Sequence, residues 1–191
     1  AGESGPCGSD TEIFYFRSDD EIPEKFDPDD DRWVEIWNNV FMEFYKDENG
    51  NISELKQKNV DTGMGLERIV AVLEGVDDNY KSSIWSDVIN KLEDITGLTY
   101  DGNEKAMRII VDHIRTAVFI AADPAGIKPS NTDQGYILRR LIRRAIRQAR
   151  KLGIDINSNF DEQIALLIIS KYEKYYSELK DNKQVVLDVL S

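Results

Sequence analysis

The residues best suited to chemistry lie in one short run, Asp61-Thr62-Gly63-Met64-Gly65-Leu66-Glu67-Arg68. Glycines let a backbone approach a ligand closely and reach positive φ without penalty. Arg68, one turn past them, carries a planar guanidinium fork that matches phosphate oxygens. Asp61, two residues before Gly63, is the acid placed to meet an ammonium group. The competing reading is a plain strand-to-helix turn with Arg68 paired to Glu67 or Glu74. The G-x-G-x-x-G spacing of dinucleotide folds and the G-K-[ST] of a P-loop are both absent, so nucleotide binding here requires a different fold. Upstream, Glu35-Ile36-Trp37-Asn38 sets a carboxylate and a carboxamide three residues apart. Oxygen donors of this kind suit Mg²⁺ held jointly with phosphates, and the alternative for Glu35 is a solvent-facing strand residue.

A second candidate is cationic. Between Arg139 and Lys151 the chain has seven basic residues and no acid. At 100° per residue, Ile137, Leu138, Leu141, Ile142, Ala145, Ile146 and Ala149 fall between roughly 0° and 180°. Arg139, Arg140, Arg143, Arg144, Arg147, Arg150 and Lys151 fall between roughly 200° and 340°. One face is core; the other is a stripe for a polyanion or a solvated face bridged to acids elsewhere. Six arginines without interleaved acids favour phosphate.

The elements that position these residues follow from pattern. Thr11–Phe16 alternates as a half-buried strand, and Trp33–Tyr45 is a longer one. Asp47–Asn51 contains an Asn-Gly turn, after which the chain pairs back as an antiparallel hairpin. Leu66, Ile69, Val70 and Leu73 then repeat at helical spacing, ending at Gly75. Beyond Ser82 the pattern predicts helices at 83–96, 103–122, 133–152 and 161–179. In the second, Met107, Ile110, Val111, Ile114, Ala117, Val118 and Ala121 form a core-facing stripe. The fold class is α+β, with a boundary near Gly75–Tyr80 dividing residues 1–78 from 79–191.

Of 191 residues, 41% are hydrophobic and 31% charged, an ordinary globular mixture. No apolar run approaches the ~18–20 residues of a membrane span. One cysteine, Cys7, excludes an internal disulfide, and His113 as the sole histidine excludes common Cys/His zinc sites. A reducing, cytoplasmic compartment fits. The net charge of −12 is uneven: residues 1–100 hold 24 acids and 9 bases, and residues 101–191 hold 12 and 15. Such asymmetry implies two parts with different partners. The chain begins with Ala1, and its last residues keep a helical pattern, which reads as a piece of a longer protein. His113 reads as a buried or capping residue, Cys7 as a small loop residue, and the tryptophans as core, with Trp37 a candidate pocket lining.

Five blocks in order resemble the alanyl-tRNA synthetase family: Gly5–Tyr15; Glu35–Asn38 with Val40–Met42; Val60–Arg68; Asp112–Arg115; and Pro129–Asn131 followed by Gly135–Arg144. The resemblance implies the C-terminal part of a class II synthetase antiparallel sheet, then an all-helical domain for tRNA. It implies ATP, alanine and Mg²⁺ as small-molecule partners. Gly63, Gly65 and Arg68 match the class's motif 3 at the ATP phosphates, Asn38, Val40, Asp61 and Gly63 match the alanine pocket, and Glu35 matches the Mg²⁺-binding acid. Asp61 and Arg68 are thereby the catalytic pair. For the tRNA(Ala) acceptor stem it implies Asn131, Arg139, Arg140, Arg143, Arg144 and Arg147. Gln134 stands where the family commonly has an arginine. The family's first two class motifs and its pocket tryptophan belong upstream of residue 1, and its editing and zinc-bearing domains match nothing in this chain. The expectation is therefore a catalytically incomplete piece of an alanine-tRNA ligase. The alternative is an acceptor-stem-binding module without catalysis, and its open sheet edges could pair with a second copy.

Overall fold

The computed structural model describes residues 3–190 and divides into two compact units, one up to Ile84 and one from Trp85. The first is a three-stranded antiparallel sheet in the order β1 (Gly5–Phe16), β2 (Trp33–Lys46), β3 (Ile52–Met64), followed by helix α1 (Leu66–Leu73) and a 3₁₀ turn at Asn79–Lys81. The hairpin between β2 and β3 is made by Asp47, whose Oδ1 accepts the backbone N–H groups of Asn49 and Asn51 at 2.9 and 2.8 Å. Hydrogen bonds from the Asn51 side chain and these amides hold the Asp47 carboxyl below its ordinary range. Gly50 takes φ +85°, which the turn requires and a side chain would resist.

β1 starts six residues before the alternation in the sequence predicts. Gly5-Pro6-Cys7-Gly8 pairs with Met42–Lys46, so Cys7 is a strand residue and not part of a loop. Of the two glycines here, Gly8 is the one that the close approach of β2 requires. A Cβ there would lie 1.7 Å from the Phe41 carbonyl oxygen. Two irregularities interrupt the β1–β2 ladder, at Cys7/Gly8 and at Ile13/Phe14. In the second, Ile13 faces Trp37 while Phe14 faces Glu35, leaving Ile36 as an extra residue in β2.

The first unit has little core. Phe14, Phe16, Phe26 and Trp33 cluster with ring centroids 4.7–5.4 Å apart. Beside them Arg32 binds Asp30 at 2.7 Å and Asp20 at 3.1 Å. A hydrogen bond from Ser18 and then one from Arg32 lower the Asp20 carboxyl, and bonds from Arg32 lower Asp30. β3 is exposed along nearly its whole length.

The second unit is helical: α2 (Ser86–Thr96), α3 (Glu104–Ala122), α4 (Asp133–Lys151), α5 (Phe160–Tyr172), α6 (Ser177–Asp181) and α7 (Lys183–Leu190). α3 is the centre, packed by the other five. Its whole expected stripe, Met107, Ile110, Val111, Ile114, Ala117, Val118 and Ala121, is buried. His113 is buried as well, its Nδ1 3.1 Å from Asp112 Oδ2. Trp85 is core, with the Arg115 guanidinium 3.9 Å above its ring. The predicted helix 161–179 is two elements. The backbone turns at Tyr172, whose carbonyl accepts from Tyr175 and Tyr176, and Phe119 meets the rings of Tyr172 and Tyr176 edge-on. Packing of these aromatics on α3 overrides the helical pattern there.

Candidate functional site

In an antiparallel ladder, residues directly opposite one another project to the same face. Asn38 faces Gly63 and Glu12, and Val40 faces Asp61 and Asp10. Asn38, Val40, Asp61 and Gly63 therefore share one face. Asn38 Nδ2 donates to Glu12 Oε1 at 3.4 Å across it. Strict alternation along β2 would send Glu35 to the opposite face, with Trp37. The extra residue Ile36 changes the phase, so Glu35 opposes Phe14 and joins the Asn38 face. The opposite face carries Trp37, whose Nε1 donates to Thr62 Oγ1 at 2.6 Å. Thr62 Oγ1 in turn donates to Asn39 Oδ1 at 2.6 Å. Trp37 thus lies on the other side of the sheet from Asp61, which removes it as a lining of the Asp61 pocket.

The bend from β3 into α1 is tied to that extra residue, since Gly65 N–H donates to the Ile36 carbonyl at 3.1 Å. Arg68 folds back over the bend. Its Nη1 donates to the Glu35 carbonyl oxygen at 2.7 Å and reaches Glu35 Oε2 at 3.3 Å. Its partner is thus Glu35, while Glu74 instead accepts from the Ser83 hydroxyl and backbone N–H. Nη2 and Nε of Arg68 have no partner among the described residues, and the side chain is 46% exposed. Neither glycine uses positive φ, contrary to expectation: Gly65 sits at φ −72°. A Cβ at 65 would come 3.1 Å from Arg68 Cδ, so Gly65 makes room for the arginine stem. A Cβ at 63 would meet nothing, so neither backbone strain nor packing requires glycine there. A free patch beside Asp61 and Asn38 is what its missing side chain leaves.

For Mg²⁺ the donor set is one half-exposed carboxylate, Glu35, whose Oε1 has no partner among the described residues. No cluster of three or more His, Cys, Asp or Glu suited to a metal occurs among those residues. A single hard oxygen donor fits a cation shared with phosphates and does not fit an all-protein cage.

The helical unit presents the second site. On α4 only Leu138, Ala145 and Ala149 of the apolar arc are buried, with Gly135 beside them. Ile137 is 40% exposed. The buried strip is narrower than the sequence suggests because α4 packs chiefly on one neighbour, α3. Arg139, Arg140, Arg143, Arg144, Arg147 and Arg150 line an open hollow of about 710 Å³ together with Tyr136 and Ile146. None of these guanidinium groups forms an ion pair within the unit among the described residues. Asn131 is exposed in the loop before α4. That loop folds onto the helix: Ser130 N–H donates to the Gly135 carbonyl at 3.0 Å, and Ser130 Oγ to the Thr132 carbonyl at 2.8 Å. A Cβ at 135 would sit 2.4 Å from the Lys128 carbonyl oxygen and from Ser130 Oγ, so only glycine allows this seat. Tyr136 escaped the sequence reading because the helical wheel began at 137. Extended back by one residue, it places Tyr136 at about 260°, amid the arginines.

The whole chain, residues 1–191, matches the model of a family described as tRNA synthetases class II (A). It is 47% identical over 98% of its length to an alanine–tRNA ligase of Treponema denticola, and 44% identical over its full length to one of Borreliella afzelii. An alanine–tRNA ligase of Desulfitobacterium hafniense is 42% identical over the same span. The chain covers 32% of the length of the first two relatives and 22% of the third.

Proposed function

The chain belongs to the class II (A) tRNA synthetases, and on that premise we propose that it supplies the motif 3 side of an alanine-activating site together with an acceptor-stem-binding helix. The observation that carries this is the shared sheet face: Glu35, Asn38, Val40, Asp61 and Gly63 on one side, with Arg68 anchored at its end by Glu35. The Asp61 carboxylate holds the α-ammonium of alanine, with Asn38 and Val40 beside it. Gly63 leaves the surface next to Asp61 without a side chain. Arg68 keeps Nη1 on Glu35 and offers Nη2 and Nε to the ATP phosphates, with Gly65 giving its stem room. Mg²⁺, when bound, neutralises phosphate charge, and Glu35 is the residue to hold it. No side chain acts as a covalent nucleophile; the site works by orientation and by fixed charges around a transferring phosphoryl centre.

The exposed arginines of α4, with Asn131 in the loop before them, take the acceptor stem of tRNA(Ala). RNA's wide, shallow minor groove admits an amide such as Asn131 to base edges, while guanidinium groups meet phosphates. A reducing cytoplasm suits the free thiol of Cys7. No helix among the described residues is long and apolar enough to cross a membrane.

Alone, the 191-residue chain binds RNA and shows little alanine-dependent ATP–pyrophosphate exchange, because β3 and the site face lie open. Robust exchange by the purified chain would overturn the second half of that statement. Converting Arg143 and Arg144 to Glu is expected to weaken salt-sensitive binding of an acceptor-stem hairpin, and unchanged binding would remove α4 from the proposal. Within the intact ligase, Asp61→Asn is expected to raise the KM for alanine at least tenfold, about what loss of one charge-assisted bond implies. The exposed edge of β3 also lets two copies pair, detectable as a concentration-dependent dimer in sedimentation.

A further inference from the structure

Among the residues lining the α4 hollow, Tyr136 is the only aromatic. It is 41% exposed, and the Arg140 guanidinium lies 5.8 Å from its ring centroid. Core packing does not account for it, since the buried stripe of Leu138, Ala145 and Ala149 runs along another side of the helix. Nor does its hydroxyl, which has no partner among the described residues. Arg139, Arg140, Arg143 and Arg147 follow at three, four, seven and eleven residues, so the ring stands at one end of a row of guanidinium groups, about 16 Å from the last.

A flat ring in that setting has a definite chemistry. Guanidinium groups take phosphates, whereas a ring face takes another π surface. Bases inside a duplex are already stacked on their neighbours, so the ring is open only to a base that is unpaired or at a helix end. We propose that Tyr136 is a stacking platform for an unpaired nucleobase next to the RNA helix whose phosphates lie along the arginines. The proposal rests on the reading of that face as an RNA interface. Tyr136 then supplies what arginines cannot, a preference for a helix that ends in single strand over one that is blunt.

The test uses the 191-residue chain and two RNA hairpins of identical stem, one blunt and one with four unpaired 3′ nucleotides, followed by fluorescence anisotropy across a salt series. The wild type is expected to favour the overhang about tenfold, toward the lower end of what one base–aromatic stack contributes. Tyr136→Phe keeps that preference. Tyr136→Ala and Tyr136→Leu lose it and bind both hairpins at the blunt level, with the salt slope unchanged because no charge is removed. Leucine retains bulk without a π face, and the exposed position leaves helix content, read by circular dichroism, as in the wild type. R143E/R144E weakens both hairpins and preserves their ratio. Equal binding of the two hairpins by the wild type, or a preference surviving in Tyr136→Ala, overturns the stacking role and leaves the arginine interface standing. Binding of neither hairpin by the wild type overturns both.

Discussion

The two units solve the problem of burial in opposite ways. From Trp85 onward a continuous core runs through α2, α3, α5, α6 and α7, with residues such as Met107, Ile110, Leu92 and Ile168 fully buried. Among the described residues of the sheet unit, Phe16 and Ala71 are the only buried apolar ones, while Ile13, Trp37, Phe41, Val60 and Met64 stay exposed. The helical unit is held by apolar area removed from water. The sheet unit is held by its backbone ladder, its turn and one aromatic cluster. Both candidate sites lie on exposed surface, but only α4 stands on a packed core.

The largest expected contrast comes from truncation. Ile110→Ala should cost about 2–5 kcal/mol in urea unfolding followed by helical circular dichroism. Val60→Ala should stay within about 0.5 kcal/mol, and similar costs at both positions would erase the distinction. Glycine replacements come next. Gly8→Ala forces a methyl onto the Phe41 carbonyl and Gly135→Ala forces one onto that of Lys128, each expected to cost about 1–3 kcal/mol in thermal melts. Gly63→Ala, with nothing to meet, should leave the melt unchanged and, on the function proposed above, impair alanine binding in a ligase that carries it. Gly135→Ala should also weaken acceptor-hairpin binding by displacing the Asn131 loop.

The smallest effect is in pH, where the two units should differ in sign. Asp20 and Asp30 have lowered folded pKa values, so the stability they add is present above the ordinary 3.8 and lost as pH falls through the folded values. Asp161, at the start of α5, is raised chiefly by burial. Its favourable contribution is complete below 3.8 and lost as pH rises through the raised value. Asp161→Asn should therefore raise the melting temperature slightly at pH 7 and not at pH 3, whereas Asp30→Asn should lower it at pH 7 only. The same sign for both substitutions would dissolve the contrast.

What could be read in the sequence divides along the same line. Helical periodicity located the α3 core residue by residue, because a stripe that is apolar in sequence has one place to go. The hairpin was equally legible from Asp47–Asn51. The N-terminal part of β1 was not, since Gly5-Pro6-Cys7-Gly8 lacks alternation and pairs only because Gly8 lets β2 approach. The acid and arginine of the site were visible as types, but their link was not. The pairing of Arg68 with Glu35 spans 33 residues and depends on one irregularity in the ladder, which no local pattern announces. Of the two reasons given for the glycines, left-handed backbone does not hold, and at Gly65 spare volume for the Arg68 stem takes its place. In α4 the cationic arc was correct and its apolar counterpart too broad, because a wheel records hydrophobicity and not how many neighbours a helix has.

Ile36 is out of step with β1, and its carbonyl is the one that receives Gly65. The ladder defect and the hinge of the bend are therefore fastened to each other. A change far upstream, on β1 around Ile13 and Phe14, that restored even pairing would withdraw that carbonyl, release the bend and swing the guanidinium away. Control over the arginine is thus vested in a strand with which it shares no hydrogen bond among the described residues.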